Sequence, residues 1–179
     1  MDGFFLLNKE KGITSNQLVQ NIKKSLKFKK VGHLGTLDPM ATGLMVIAAN
    51  RATKFSSYFL ESDKSYHATV KLGCSTDTDD ALGKIIETSD NLPTEEHTHK
   101  VLNSFVGQSL QMAPFYSALK HKGKPLYKYA REGDFILKPL REINVFSIKD
   151  FNFDHDECSF LIHCSKGTYI RSIARDLGK

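Results

Sequence analysis

The richest concentration of chemistry in this sequence is one stretch, Gly32-His33-Leu34-Gly35-Thr36-Leu37-Asp38-Pro39-Met40-Ala41-Thr42-Gly43. Its glycines let the backbone turn sharply and let a ligand come close, and Pro39 keeps the residue before it out of helical conformation. Asp38 is therefore presented on a loop. It is the only acid between Glu10 and Glu61, in a basic neighbourhood that favours the ionised carboxylate, the form that acts as nucleophile or base. The plainer alternative is an Asp-Pro turn residue. The glycine pattern is neither G-x-G-x-x-G nor a P-loop, so it points to no nucleotide cofactor.

A second stretch, Lys120-His121-Lys122-Gly123-Lys124-Pro125-Leu126-Tyr127-Lys128-Tyr129-Ala130-Arg131, interleaves cations with aromatics. A surface for phosphates and bases needs that mixture, although a solvated loop has it too. Lys9 and Lys64 are further candidates for phosphate contacts. Two other constellations fail on spacing. Asp77-Thr78-Asp79-Asp80 starts like a calcium loop, but Ala81 takes the third ligand place, Leu82 replaces the required glycine and Thr88 stands where the bidentate acid belongs. His97 and His99 lie two apart in a predicted helix, where they do not face each other, so we expect no metal site.

The elements that must hold these residues follow from periodicity and breakers. Gly3 to Asn8 reads as a strand and Lys9 to Gly12 as a turn. Thr14 or Ser15 can cap a helix with Leu18, Val19, Ile22 and Leu26 at helical spacing. The glycine loop spans Val31 to Gly43, followed by a buried strand, Leu44 to Ala49, and a helix over Arg51 to Leu60. Strands are predicted at Ser65–Leu72, Gly83–Thr88, Phe115–Leu119, Glu142–Phe151 and Phe160–Cys164. Helices are predicted at Thr94–Val106, capped by Thr94, and from a Thr168 cap to Leu177. Strands and helices intersperse without regular βαβ alternation, so we expect an α+β fold with a mixed, largely antiparallel sheet flanked by helices. No repeat or linker interrupts residues 1–179, which read as one domain.

Composition agrees with a folded chain: 179 residues, 40% hydrophobic and 25% charged, exclude a disordered segment. The net charge of +5 is unevenly spread. Residues 1–60 carry nine basic and three acidic side chains and residues 114–149 carry eight and three, while the other segments are acidic on balance. Basic blocks of this kind make a footprint for a polyanion if they share a face. Three cysteines, Cys74, Cys158 and Cys164, without C-x-x-C spacing argue against a disulfide framework or a zinc ribbon. With no apolar run of membrane-spanning length and no signal peptide at the N-terminus, a cytoplasmic protein without membrane attachment is expected.

At the Asp38 loop the sequence resembles the TruB family of tRNA pseudouridine synthases, whose G-H-x-G-x-L-D-P-x-A-x-G stretch carries the catalytic aspartate. The likeness continues in order through Asp63-Lys64-Ser65-Tyr66, Leu72-Gly73 with Thr76-Asp77-Thr78, Tyr116-Ser117-Ala118-Leu119-Lys120 with Leu126-Tyr127 and Ala130-Arg131, and His163-Cys164-Ser165-Lys166-Gly167-Thr168-Tyr169-Ile170-Arg171. It implies a pseudouridine synthase-like fold and isomerisation of uridine to pseudouridine in the T-loop of tRNA, at position 55, without a cofactor. Asp38 falls on the nucleophile and His33 on the residue that packs into the T-loop where the target uridine has left. Tyr66 falls on the tyrosine that stacks on the flipped base, Tyr169 on a second substrate-contacting aromatic, and Arg171 on the arginine that pairs with the catalytic carboxylate. Lys64, Lys120 and Lys166 fall in matching stretches as RNA contacts. Extruding a base from folded RNA suits aromatic faces that offset the lost stacking.

Two departures stand out. Glu10 follows Lys9 where the family usually has proline, and the chain ends at Lys179 where the family's catalytic domain continues and usually adds a small RNA-binding domain. We therefore expect a C-terminally incomplete catalytic domain, monomeric, with the T-stem-loop of tRNA as partner. A non-catalytic RNA-binding or RNA-folding module is the rival expectation.

Overall fold

Gly3–Lys9 forms a strand, β1, along which Phe5 and Leu7 are half-buried and Phe4 and Leu6 exposed, the two-residue alternation of a pleated chain. The computed structural model describes all residues, 1–179. They gather into two units, Met1–Ser62 and Asp63–Lys179, a division that no linker in the sequence marks.

In the first unit β1 is followed by helix α1, Ser15–Ser25, and strands β2, Val31–His33, and β3, Gly43–Ala49. A 3-10 turn, Asn50–Phe55, leads into a short helix α2, Ser56–Leu60, where the sequence predicted one continuous helix. Thr14 caps α1: its hydroxyl accepts from Gln17 N, and the Gln17 side chain accepts from Thr14 N, a reciprocal box. The sheet order is β1-β3-β2, all antiparallel, with Phe5 opposite Ile47 and Lys9 opposite Gly43. Val19 of α1 packs on Met45 and Ile47, and Leu37 joins this cluster from the loop between β2 and β3. Burial of Leu37 thus anchors the residue next to Asp38.

The second unit is built on a four-stranded sheet. It comprises β4, Lys64–Lys71; β5, Cys74–Thr76; β6, Ile85–Thr88; α3, Glu95–Asn103; β7, Gly107–Gln111; β8, Lys120–His121; β9, Lys124–Pro125; α4, Leu126–Arg131; β10, Arg141–Asp154; β11, Glu157–Cys164; and α5, Ile170–Leu177. The large sheet runs β4-β11-β10-β7, while β5-β6 and β8-β9 are separate hairpins. Every pairing is antiparallel. One face carries Ala68, Val70, Cys158, Phe160, Ile162, Cys164, Ile143 and Val145, and Leu102 of α3 with Ile173 and Leu177 of α5 closes over it. This is the α+β, antiparallel architecture expected. No helix is long and apolar enough to cross a membrane.

Three local expectations are corrected. Phe115–Leu119 is not a strand: the Tyr116, Ser117 and Leu119 carbonyls accept from Arg171, Tyr127 N and Leu126 N, leaving no ladder to form. One edge strand of the sheet is instead β7, which begins at Gly107, just past the helix predicted over Thr94–Val106. Thr168 does not cap α5; its hydroxyl donates to Ser165 O at 2.9 Å, and Tyr169 takes the cap position without a side-chain bond.

Candidate active site

In the first unit the Asp38 loop is tied down on both sides of the carboxylate. Ser15, at the start of α1, donates its hydroxyl to Leu37 O at 2.9 Å and accepts from Leu37 N at 3.0 Å. On the other side, Pro39 O accepts from Gly12 N at 2.8 Å and from Lys9 Nζ at 3.2 Å. Ala41 N closes the Asp-Pro turn onto Asp38 O at 3.0 Å. Asp38 itself is half-buried. A carboxylate whose flanking backbone is fixed in this way needs little reorganisation before it reacts.

Lys9 is corrected here. It is fully buried, and its ammonium donates to Glu10 O, Ile13 O and Pro39 O, so it fastens the loop and does not reach a phosphate. Burial lowers its pKa, with the charge of Asp38 acting against that. His33 ends β2 opposite Ile47, half-buried, with its Nδ1 enclosed and without a hydrogen-bond partner.

The second unit holds the other expected site residues. Tyr66 lies on β4 opposite Ile162 and packs against the main core. Lys64, two residues before it on the same face, is half-buried, and burial lowers its pKa against the pull of Asp63. Lys166 is exposed in the turn before α5. Tyr169 is clasped by a residue the sequence reading missed. Gln111, buried, accepts from Tyr169 N at 2.8 Å and donates to Tyr169 O at 3.2 Å. The Arg141 guanidinium lies over the Tyr169 ring at 5.4 Å. Arg171 opens α5, donating to Thr78 O at 3.1 Å and Tyr116 O at 2.9 Å, with Asp80 Oδ2 at 3.9 Å.

The Asp77-Thr78-Asp79-Asp80 stretch thereby acquires a role that spacing did not show. Asp77 accepts from Lys84 N, and Asp80 accepts from Thr78 Oγ1 and Leu82 N, closing a tight turn whose Thr78 carbonyl faces Arg171. The only hint in the sequence is Arg171 and Arg175 four apart on an amphipathic helix. His99, on α3, stacks on Phe151 at 4.7 Å, and nowhere do three His, Cys, Asp or Glu side chains converge.

The basic stretch folds as the β8-β9 hairpin and α4. Lys120, Lys122 and Lys128 are exposed. Tyr129 donates to His121 O at 3.1 Å and lies under the Lys124 ammonium, and Arg131 lies over the Tyr127 ring. These two aromatics are therefore half-buried and already faced by cations.

Residues 23–170 match the family described as TruB family pseudouridylate synthase (N terminal domain). The tRNA pseudouridine synthase B of Francisella philomiragia is 48% identical over 181 residues, covering 100% of this chain and 60% of that protein. Its counterpart from Shewanella pealeana is 46% identical over 179 residues, covering 100% of this chain and 57% of that protein. This chain thus spans less than two thirds of the length of the curated relatives it matches. A solved Cbf5-Nop10-Gar1 complex aligns with a TM-score of 0.71 at 28% identity, over 98% of this chain and 43% of that one. The structure of an H/ACA RNP bound to a substrate RNA containing 2'-deoxyuridine aligns with a TM-score of 0.70 at 26% identity, over 98% and 42%. With matching sequence across the glycine loop, β4 and the turn into α5, and the same fold in solved relatives, the chain belongs to the TruB family of pseudouridylate synthases, in its N-terminal domain.

Proposed function

We propose that residues 1–179 form a catalytic domain that isomerises uridine to pseudouridine in the T-loop of tRNA, with Asp38 as the nucleophile or base. The observation that supports this most directly is the Asp38 loop: a half-buried carboxylate whose neighbours Leu37 and Pro39 are both pinned, in a chain of this family. Asp38 attacks C1' of the ribose and displaces the uracil, or removes a sugar proton as the uracil leaves. The detached uracil turns and bonds to C1' through C5, which displaces Asp38 or accompanies return of the sugar proton, and the C5 hydrogen leaves as a proton while N1 gains one. Tyr66 and Tyr169 offer faces to the extruded base, Arg171 supplies a guanidinium to the chemistry, and His33 fills the place the uridine leaves. Lys64, Lys120 and Lys166 meet the phosphates of the T-stem-loop. The reaction needs no cofactor, and the three unpaired cysteines suit the cytoplasm.

T-stem-loop RNA labelled with tritium at uridine C5 tests the proposal. Release of tritium to water, abolished by Asp38→Asn, is the expected result. Tight binding of the RNA without release would favour the RNA-folding module instead.

A further inference from the structure

Helix α5 carries two arginines one turn apart, and each grips the same two segments of chain. Arg171 Nη1 donates to Thr78 O and its Nη2 to Tyr116 O. One turn on, Arg175 Nη1 meets Asp79 Oδ2 at 3.1 Å and its Nη2 donates to Met112 O at 3.1 Å. Residues four apart share a helix face, so the pair acts as a double clamp on the turn at 76–83 and on the segment at 112–116. Ser172 adds a bond to Met112 O at 2.8 Å.

The turn at 76–83 is itself tightly built. Asp79 holds a φ of 58°, the left-handed turn conformation that aspartate adopts more readily than most non-glycine residues. A Cβ on Gly83 would lie 2.2 Å from Thr78 Oγ1 and 2.7 Å from Asp77 Oδ1, so the turn has no slack. The Asp79 and Arg175 side chains are 19% and 16% exposed, sheltered enough for their attraction to resist screening.

We infer that the Arg175–Asp79 ion pair is a positioning pair for Arg171: by fixing the turn, it holds the Thr78 carbonyl and the Asp80 carboxylate where they keep the Arg171 guanidinium in one orientation. This rests on the proposed role of Arg171 in the chemistry. A guanidinium works through a planar fork, so its direction matters as much as its charge. Arg171 is tied to the turn by a carbonyl on one residue and a carboxylate two residues on, and Asp79, between them, is tied to the next arginine of the same helix. Cutting the Asp79 link frees the turn and lets the fork swing.

The test uses the 179-residue chain with Arg175→Gln, Arg175→Lys and Asp79→Asn, each also in an Arg171→Gln background. Three quantities are read: single-turnover tritium release, affinity for T-stem-loop RNA, and melting temperature. Expected for Arg175→Gln and Asp79→Asn is a rate loss on the order of ten- to a hundredfold, with affinity within a few fold. Arg175→Lys, which keeps the charge opposite Asp79, should recover part of that loss. In the Arg171→Gln background the same substitutions should cost no further rate while lowering the melting temperature as before. Equal rate losses in both backgrounds, or none in either, would overturn the inference. Should the unsubstituted chain release no tritium, the functional proposal is what fails. The pair is then judged by the Nε–H resonance of Arg171, which should be sharp in the unsubstituted chain and broadened in both Asp79→Asn and Arg175→Lys. A resonance unchanged in both would overturn the pair as a positioning device.

Discussion

The ammonium of Lys9 lies 3.2 Å from the carbonyl oxygen of Pro39, the residue that follows Asp38. Its other two hydrogens go to Ile13 O at 2.7 Å and Glu10 O at 2.9 Å, so one buried cation fastens the end of β1, the entry to α1 and the Asp38 loop together. An ammonium has three donors and no acceptor, and all three are in use.

Replacing this residue by Lys9→Met should therefore destabilise the first unit by about 3 kcal/mol, since three carbonyls lose a charged donor inside the fold. Urea denaturation measures it. The salt dependence of RNA binding should keep its slope, because a buried lysine releases no counterion from a phosphate; a shallower slope would show that Lys9 does reach the RNA.

Lys120 is the contrasting case. It is exposed on β8, so Lys120→Ala should leave stability within about 0.5 kcal/mol and reduce the log-log salt slope of RNA binding by about one unit. Titrations across a range of potassium chloride concentrations give the slope directly.

Asp38→Asn should abolish turnover and leave RNA affinity within a few fold, because the amide keeps the shape of the side chain and cannot act as nucleophile or base. Turnover near that of the unsubstituted chain would remove Asp38 from the mechanism.

Gln111→Leu leaves the Tyr169 N–H without its acceptor, while Tyr169 O still accepts from Ser172 N and Ile173 N, a loss of about 2 kcal/mol. The start of α5 should fray with it. Faster hydrogen exchange at the Tyr169 amide, whose acceptor is the Gln111 side chain, is the readout; unchanged exchange would argue that another group holds Tyr169.

Asp79 gives a pH dependence with a definite sign. Burial pushes its carboxyl pKa up, against the pull of Arg175. The folded chain then keeps a proton that the unfolded chain has already lost. The stability this group contributes is full below the unfolded value, about 3.9, and is lost as pH rises through the folded one. Urea midpoints of the unsubstituted chain and Asp79→Asn, compared from about pH 3 upward, should show the difference moving against the aspartate as pH rises. A difference moving the other way would mean that the attraction of Arg175 outweighs burial.

What the sequence determined by itself was local. The cap of α1 at Thr14 or Ser15, the two-residue alternation over Ser65–Leu72 and the conformation of Asp38, set by the proline beside it, each depend on near neighbours alone. The α+β class with a largely antiparallel sheet followed from the order of such elements, and the family likeness named candidate residues for the site. The tertiary structure decided where side chains find partners far along the chain. Lys9 read as a candidate for a phosphate contact at a turn, yet its third bond closes across 30 residues. Gln111 meets Tyr169 across 58, and Arg175 meets Asp79 across 96. The same physics misplaced a strand at Phe115–Leu119, whose apolar and aromatic residues suit one, because its carbonyls were claimed by a distant arginine and by the chain around α4. Periodicity reports which face of an element is apolar; it carries no information about which buried polar group will meet which, and that pairing is fixed only when desolvation forces every enclosed donor and acceptor to find a partner.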